Sequence, residues 1–600
     1  MSMKSTLYLI MLLTAGLLLG SCAKEAVPVD VIKMHFTATL AAKVPASKSV
    51  DSDGQTAWVA GEKIAVYYQK TDYSYATAKA TVDAVSEGVA TISATLEDAL
   101  NNSEVKFVYP YTLANSTGGI RTESLLSQHG TIADISAYFD AATGTGTLVT
   151  NGTTCSTDGS VHLYNQVFIG KFTPKYEGSP IAGISLLTIT AGDRIYTVAP
   201  SEGTFGTSGI YVAMMPVSAQ KVALTAHTAS QNYCFSGVTA TFEAGKLYKS
   251  LSIPMNESTV INLGTVNQNT TAQYGDILTG TLNGNYKISV ADGATVTLQD
   301  VTISCLENGS PYAGLSCLGD ATLLLKGSNF IVGGYQDDIL TMADWPGIHI
   351  AVDHTITIYG TDSDHLSARP GGHGDAAAIG GGKDSSCGNI VIKGGTISAI
   401  GDAGAGIGCG LANISDVTCG DITITGGNVT ATGGAHAAGI GCGEIWNGDS
   451  TCGAVTITGG TVTATGGDCA AGIGCGNASN GQTSTCGPIR ITGGTVTATG
   501  GDNAAGIGGG YGQSSSNSHC ICESIFIANT VNKVTAQKGK DAICALGQGY
   551  GNSNCYSIKL GNVTVYNGAT WSPDPMVKGT YGGLSLDISD DTWTLTPVTP

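Results

Sequence analysis

The densest chemistry in this chain is a charged run near its middle. Arg369, His373 and Asp375 lie close together, with Asp362, Asp364 and Asp384 on either side. Grouped carboxylates can hold calcium, and a nearby basic group can take a proton from a substrate. Asp402, Asp468 and Asp502 recur at one corner of a glycine-rich phrase, with His436 where the phrase between them would carry an acid. Arg369, His373, Asp375, Asp402, Asp468 and Asp502 therefore form a candidate glycan or calcium site, against the reading of ordinary solvated loops. Trp446 is a candidate aromatic platform, since sugar rings stack on flat exposed aromatics. Trp345, Tyr335 and Tyr511 are weaker loop candidates. Thr430, Thr463 and Thr497 form one outward row, and Thr432, Thr465 and Thr499 the next. Such rows can make a flat binding face, or simply suit an exposed strand. No phosphate loop, nucleotide fingerprint or nucleophile elbow is present.

The second chemical signal is cysteine. Of 17, Cys22 belongs to the N-terminal segment, and the remainder is an even set that an exported chain could pair fully. Cys387, Cys419, Cys452, Cys486, Cys522 and Cys555 form one column, and Cys409, Cys442 and Cys475 another. Cys409 with Cys419, Cys442 with Cys452, and Cys475 with Cys486 are read as disulfides closing the loop between coils. Cys155 and Cys234 are a further candidate pair, and Cys305 and Cys317 complete the set. Free stacked thiols are the main alternative. Zinc is a remote one, because no CxxC occurs.

The elements that must position these residues come from a repeat. Leu315, Ile348, Ile379, Ile407, Ile440, Ile473, Ile507 and Leu546 recur at intervals of 28 to 39 residues, averaging 33. A period in this range marks a solenoid whose repeats bury their apolar faces against one another. In the unit from Asp421 to Thr432, Ile422, Ile424, Val429 and Ala431 alternate with polar residues, so the apolar set points inward. Paired glycines make the corners. Three short strands and three corners fit each coil of a parallel β-helix, and about 8–9 coils fit between residues 256 and 565. Residues 566–600, with Trp571 and Trp593, are expected to cap the open end.

Residues 31–255 lack that period and alternate as half-buried strands, giving a β-sandwich. Residues 1–21 read as a signal peptide: Lys4, an apolar stretch from Leu7 to Leu19, then Leu19-Gly20-Ser21-Cys22. The last four resemble a bacterial lipobox, which implies lipidation of Cys22, with residues 22–30 as a tether.

The N-terminal half carries Phe36-Thr37-Ala38-Thr39-Leu40, then Trp58-Val59-Ala60-Gly61-Glu62-Lys63-Ile64-Ala65-Val66. Phe107-Val108-Tyr109-Pro110 and Phe242-Glu243-Ala244-Gly245-Lys246-Leu247-Tyr248 follow. In that order, after a lipobox, these segments resemble the fimbrillin-like family of Gram-negative surface lipoproteins. The resemblance implies β-sandwich structure, outer-membrane attachment and association with other pilin subunits. Shaft subunits of that family are cleaved after a basic residue, often arginine, near the mature N-terminus. The first arginine here is Arg121, which suits a tip subunit, a monomer or a display stalk better.

The run Asn285-Tyr286-Lys287-Ile288-Ser289-Val290 through Asp300-Val301-Thr302-Ile303, with the repeated Ala-Gly-Ile-Gly, resembles right-handed β-helices related to pectate lyases. The nearest likeness is to a carbohydrate-binding, calcium-linked branch, which implies a polysaccharide ligand and calcium as cofactor. The expected fold is thus all-β: a fimbrillin-like sandwich followed by a right-handed parallel β-helix. A net charge of −19 argues against direct nucleic-acid binding. The expected function is a lipid-anchored surface adhesin or glycan-binding protein, on a bacterial or host glycan, touching the membrane only through its lipid. A polysaccharide lyase or hydrolase is the first alternative and a structural spacer the second.

Overall fold

The computed structural model describes residues 37–45 and 58–598, apart from residues 88, 152, 193, 306–309, 337–342, 373 and 573–575. The signal segment, Cys22, the tether and His373 lie outside the described residues. Among the described residues no helix is long and apolar enough to cross a membrane.

The N-terminal region folds around two hydrophobic cores, where the sequence suggested one sandwich. The first belongs to an eight-stranded sheet and is filled by Ile64, Val66, Ile92, Phe107 and Leu148, all fully buried. Lys63–Gln69, Tyr75–Ser86 and Val89–Glu97 form its antiparallel meander, in which Ile64, Val66 and Ile92 point inward. The second core lies between a four-stranded and a six-stranded sheet and holds Phe168, Phe172, Leu187, Ile189, Val212 and Leu224. Phe168 stacks on Phe242 at 4.7 Å between centroids. Two cores follow because the first sheet curls back on itself, pairing Glu104–Tyr109 with Ala142–Asn151, while the second core fills the space between two facing sheets.

From Val260 the chain winds into a parallel β-helix. One face is a ten-stranded parallel sheet. Its register pairs Leu315 with Ile348, then Ile379, Ile407, Ile440, Ile473, Ile507 and Leu546. Two earlier strands, Thr270–Ala272 and Ile288–Val290, extend that face upstream. The two longer strands of each coil, such as Ile422–Ile424 and Asn428–Thr432, join one 22-stranded sheet. The later coils carry a fourth short strand that a three-strand coil does not include. It is Val417–Cys419, Ser450–Cys452, Thr483–Cys486, His519–Cys522 and Ser553–Cys555, and it carries the long cysteine column.

The interior is one continuous stack of Ile, Val, Leu, Ala and Cys. Glycines close the corners where backbones nearly touch. At Gly441 φ is +138°, and a Cβ would lie 2.0 Å from the Gly474 carbonyl oxygen. At the C-terminal end Thr592–Pro597 pairs antiparallel with Lys533–Gln537 and with Leu584–Ser589. Trp593 is buried there, 5.6 Å from the ring of Trp571. This pairing covers a strand edge that would otherwise template association.

Candidate glycan face and corner site

The acidic residues prove to be mostly structural. Asp384 Oδ1 accepts the backbone N–H groups of Asn413, Ile414 and Ser415 at 2.7, 2.8 and 3.1 Å. Asp421 accepts from Ala454 and Asp449 from Thr483, both at 2.8 Å. Asp364 accepts from Gly327 and Thr361. Each carboxylate thus ties one coil to its neighbour through an amide that the short strands leave unpaired. Asp292, Asp320 and His354 bring their ligand atoms within 4.8 Å of one another. Two of those oxygens already serve backbone N–H groups, of Asp320 and of Thr355.

The predicted corner site disperses. Ser367 pairs with Ser398 and Ala368 with Ala399, so exposed Arg369, itself paired with Val332 one coil earlier, lies in the row continuing through Ile400, Thr432, Thr465 and Thr499. Asp375 does not meet Arg369; it is held by Lys383 Nζ at 2.8 Å. Asp402 is exposed and packs its Cβ against Gly374. Asp468 and Asp502 are exposed in successive coils, five positions before Ile473 and Ile507. Asp541 extends that row, and Ala435 interrupts it on the other side.

His436 therefore does not occupy the acid position. It lies four before Ile440, in a second column with Asp375, Ala403, Cys469 and Asn503. The sequence reading was off by one position here. Counting back from the paired isoleucines would have separated the two columns.

Trp446 is 45% exposed, and its Nε1 donates to Glu444 Oε1 at 2.8 Å, so the ring is fixed at the surface. The threonine rows pair in register as expected.

The described cysteines are free thiols, and the loop-closing pairs are not formed in this structure. Cys155 lies in the first core, whereas Cys234 packs against Gly275 where the β-helix begins. Cys305 and Cys317 sit unbonded in the solenoid core. Parallel in-register pairing points Cys419, Cys452 and Cys486 the same way, so their thiols stack along the axis. Cys409 Sγ donates to the Thr451 carbonyl at 3.4 Å, and Cys442 Sγ to the Thr485 carbonyl at 3.1 Å. Cys475 donates to the carbonyl of Ile521 in the same way, at 3.2 Å. Burial pushes Cys317 up to about 12 and Cys305 to about 11. Such thiols are neutral and unreactive.

One recess has no counterpart in the sequence reading. Between the N-terminal sheets and the first long β-helix face runs a groove of about 1160 Å³. Thr322, Thr357, Tyr359, Val391, Lys393 and Thr423 contribute its floor, and Arg194 and Lys221 its opposite wall. Lys221 lies over the Tyr274 ring at 5.9 Å. Tyr274 lines this junction together with Thr190 and Thr295, and burial raises its phenol. A signal for such a groove is absent from sequence because its walls lie far apart in the chain.

A model of the beta helix repeat matches residues 390–411, 422–444, 455–477 and 489–511. No curated protein matches the chain. Among solved structures, the N-terminal part is similar to a candidate cell adhesion protein from Bacteroides uniformis, at 15% identity and TM-score 0.24. That alignment covers 36% of this chain and 95% of the other. A fimbrial assembly protein from Parabacteroides distasonis aligns at 12% identity and TM-score 0.21, over 37% of this chain and 91% of its own. The tip fimbrial protein Mfa3 from Porphyromonas gingivalis aligns at 10% identity and TM-score 0.17, over 34% of this chain and 80% of its own.

Proposed function

We propose that this chain is a lipid-anchored cell-surface adhesin or fimbrial accessory subunit that binds an acidic polysaccharide along its β-helix. The groove between the sandwich sheets and the first coils carries this reading. It is long and open, which suits an extended chain, and Tyr359 offers a stacking face on its floor. Arg194, Lys221 and Lys393 line it in a protein of net charge −19, beside only Glu123 and Asp320 as acids. That local reversal of charge favours carboxylated or sulfated sugars. Calcium bound at the Asp468, Asp502 and Asp541 row would add a second contact for the same ligand class.

The test is affinity electrophoresis of the full chain against neutral and acidic polysaccharides, with calcium and with chelator. Retardation by acidic polymers that Lys393→Glu and Tyr359→Ala each weaken at least about fivefold supports the groove. Retardation seen only with calcium and unaffected by those variants moves binding to the aspartate row. Absence of retardation by every polymer overturns glycan binding and leaves the uniform threonine coils as a spacer.

A further inference from the structure

The second long strand of each coil carries a face of its own, on strands other than those that floor the groove. One outward row on it runs Thr302, Phe330, Ser367 and Ser398, then continues as threonine from Thr430 to Thr535. Phe330 is the one aromatic in that row, and it is 37% exposed. Ser328, His365 and Thr396 form the neighbouring row, two residues upstream. Together these residues line a recess of about 350 Å³.

A second departure from the repeat lies directly beneath. Asn329 points inward where the next coils place Leu366, Ile397 and Val429, and it is buried. Its Oδ1 accepts the Val301 N–H at 3.0 Å. Its Nδ2 donates to the carbonyls of Lys326 and His365 at 3.3 and 3.1 Å. One buried amide thus ties three successive coils and fixes the floor of the recess, so little ordering is left for a ligand to impose. The lining is rich in hydroxyls and poor in charge. Thr302, Ser328, Ser367, Thr396 and Ser398 supply hydroxyls, and that of Thr396 donates to the Asp362 carbonyl at 2.9 Å while keeping its lone pairs. No Lys, Arg, Asp or Glu lines the recess, and His365 is its one side chain that titrates near neutrality. An ionic ligand finds no counter-charge here, in contrast to the groove with its arginine and lysines. An aromatic ring in a water-facing row gains from burial only when something covers it. A sugar ring matches both features, with an apolar C–H face for Phe330 and rim hydroxyls that donate and accept.

We propose that this recess is a second binding site, for a neutral sugar unit, with Phe330 as the stacking platform. Thr302 and Ser367 flank the ring one coil to either side, about 4.8 Å away along the axis, and His365 and Thr396 meet hydroxyls on its upstream rim. The volume of about 350 Å³ is at the small end for ligand sites and suits one or two rings of a chain or its end. The site uses none of the groove residues and stands apart from the acidic-polysaccharide reading.

The test is affinity electrophoresis of the full chain in gels containing galactomannan, mixed-linkage β-glucan, arabinoxylan or glycogen, all neutral polymers. At least one is expected to retard the parent. Phe330→Ala weakens that retardation at least about tenfold, and Phe330→Trp keeps it. Ser367→Trp, which fills the recess from an outward position, abolishes it. Both positions face away from the core, so each variant should melt with the parent, and the two together keep the result readable if one misfolds. Polygalacturonate added in excess leaves retardation by the neutral polymer within about twofold, because the acidic chain has no charge partner in the recess. Retardation by none of the four polymers, full retardation of folded Phe330→Ala or Ser367→Trp, or relief by polygalacturonate overturns the proposal. Should no acidic polymer retard the parent, the groove reading falls, while the Phe330 comparison still decides this one.

Discussion

At the scale of single residues, the chain separates groups that titrate in opposite directions. His349 stands on Ile348–Ile350 beside Ser316 and Gly380. Burial first, then Lys287, holds it below its ordinary value, against a backbone hydrogen bond at Ser386 that favours the charged form. His227, beside Lys326 at the junction of sandwich and solenoid, is lowered for the same reasons. A lowered folded value gives a contribution complete above the unfolded pKa of about 6.5 and lost as pH falls through the folded one. His436 has the reverse sign: its raised value stabilises fully below about 6.5 and the effect fades as pH rises toward about 9. Thermal melts from pH 5 to 8 should therefore show a declining acid limb that His349→Gln flattens. An acid limb of equal slope in that variant would mean the imidazole is not kept neutral by its burial. The threonine rows and the outward Arg369 were legible in the sequence because strand period alone places them. The aspartates were legible as residues but not in their role. Asp384 and Asp421 have the types a calcium site uses, yet their oxygens satisfy amides one coil away, a pairing that only register reveals.

At the scale of elements, the isoleucine column was readable from Leu315 to Leu546 because every coil repeats the same inward position. The fourth strand was not, since three residues such as Val417–Cys419 show too little alternation to mark a strand. The cysteines in it suggested loop-closing disulfides, whereas the register stacks them as a thiol row in the core. The corner glycines explain why the coils tolerate so little variation there. Gly441, Gly474 and Gly508 share φ between 131° and 138°, and each Cβ would collide with the carbonyl of the next coil. Gly474→Ala should therefore cost about 3 kcal/mol or more, combining strain with a backbone clash. Hydrogen exchange should show the loss centred on 440–508 and decaying within one or two coils, because each repeat contacts only its neighbours. Uniform loss of protection over the whole chain would contradict that local coupling.

At the scale of the molecule, the rod and the groove make different claims about what length is for. A spacer works by reach, and each coil adds about 4.8 Å along the axis. A binding groove at the junction works by composition, and its lining ends at Thr458 and Gly459. Deleting residues 467–500 removes one 34-residue coil beyond that limit and rejoins Gly466 to Gly501, preserving the phrase and its corner. The shortened chain should stay folded, since Ile440 can pair with Ile507 as it does with Ile473. Its retardation by an acidic polysaccharide should match the parent within about twofold if the groove binds. Loss of retardation on deletion would place binding on the outer coils, where Asp468 and the threonine rows lie, and would make the groove a consequence of docking. Unchanged retardation together with a shorter rod by small-angle scattering would assign recognition to the junction and display to the solenoid. The two parts of the chain would then have distinct tasks: the sheets and first coils hold the ligand, and the later coils set how far the assembly extends.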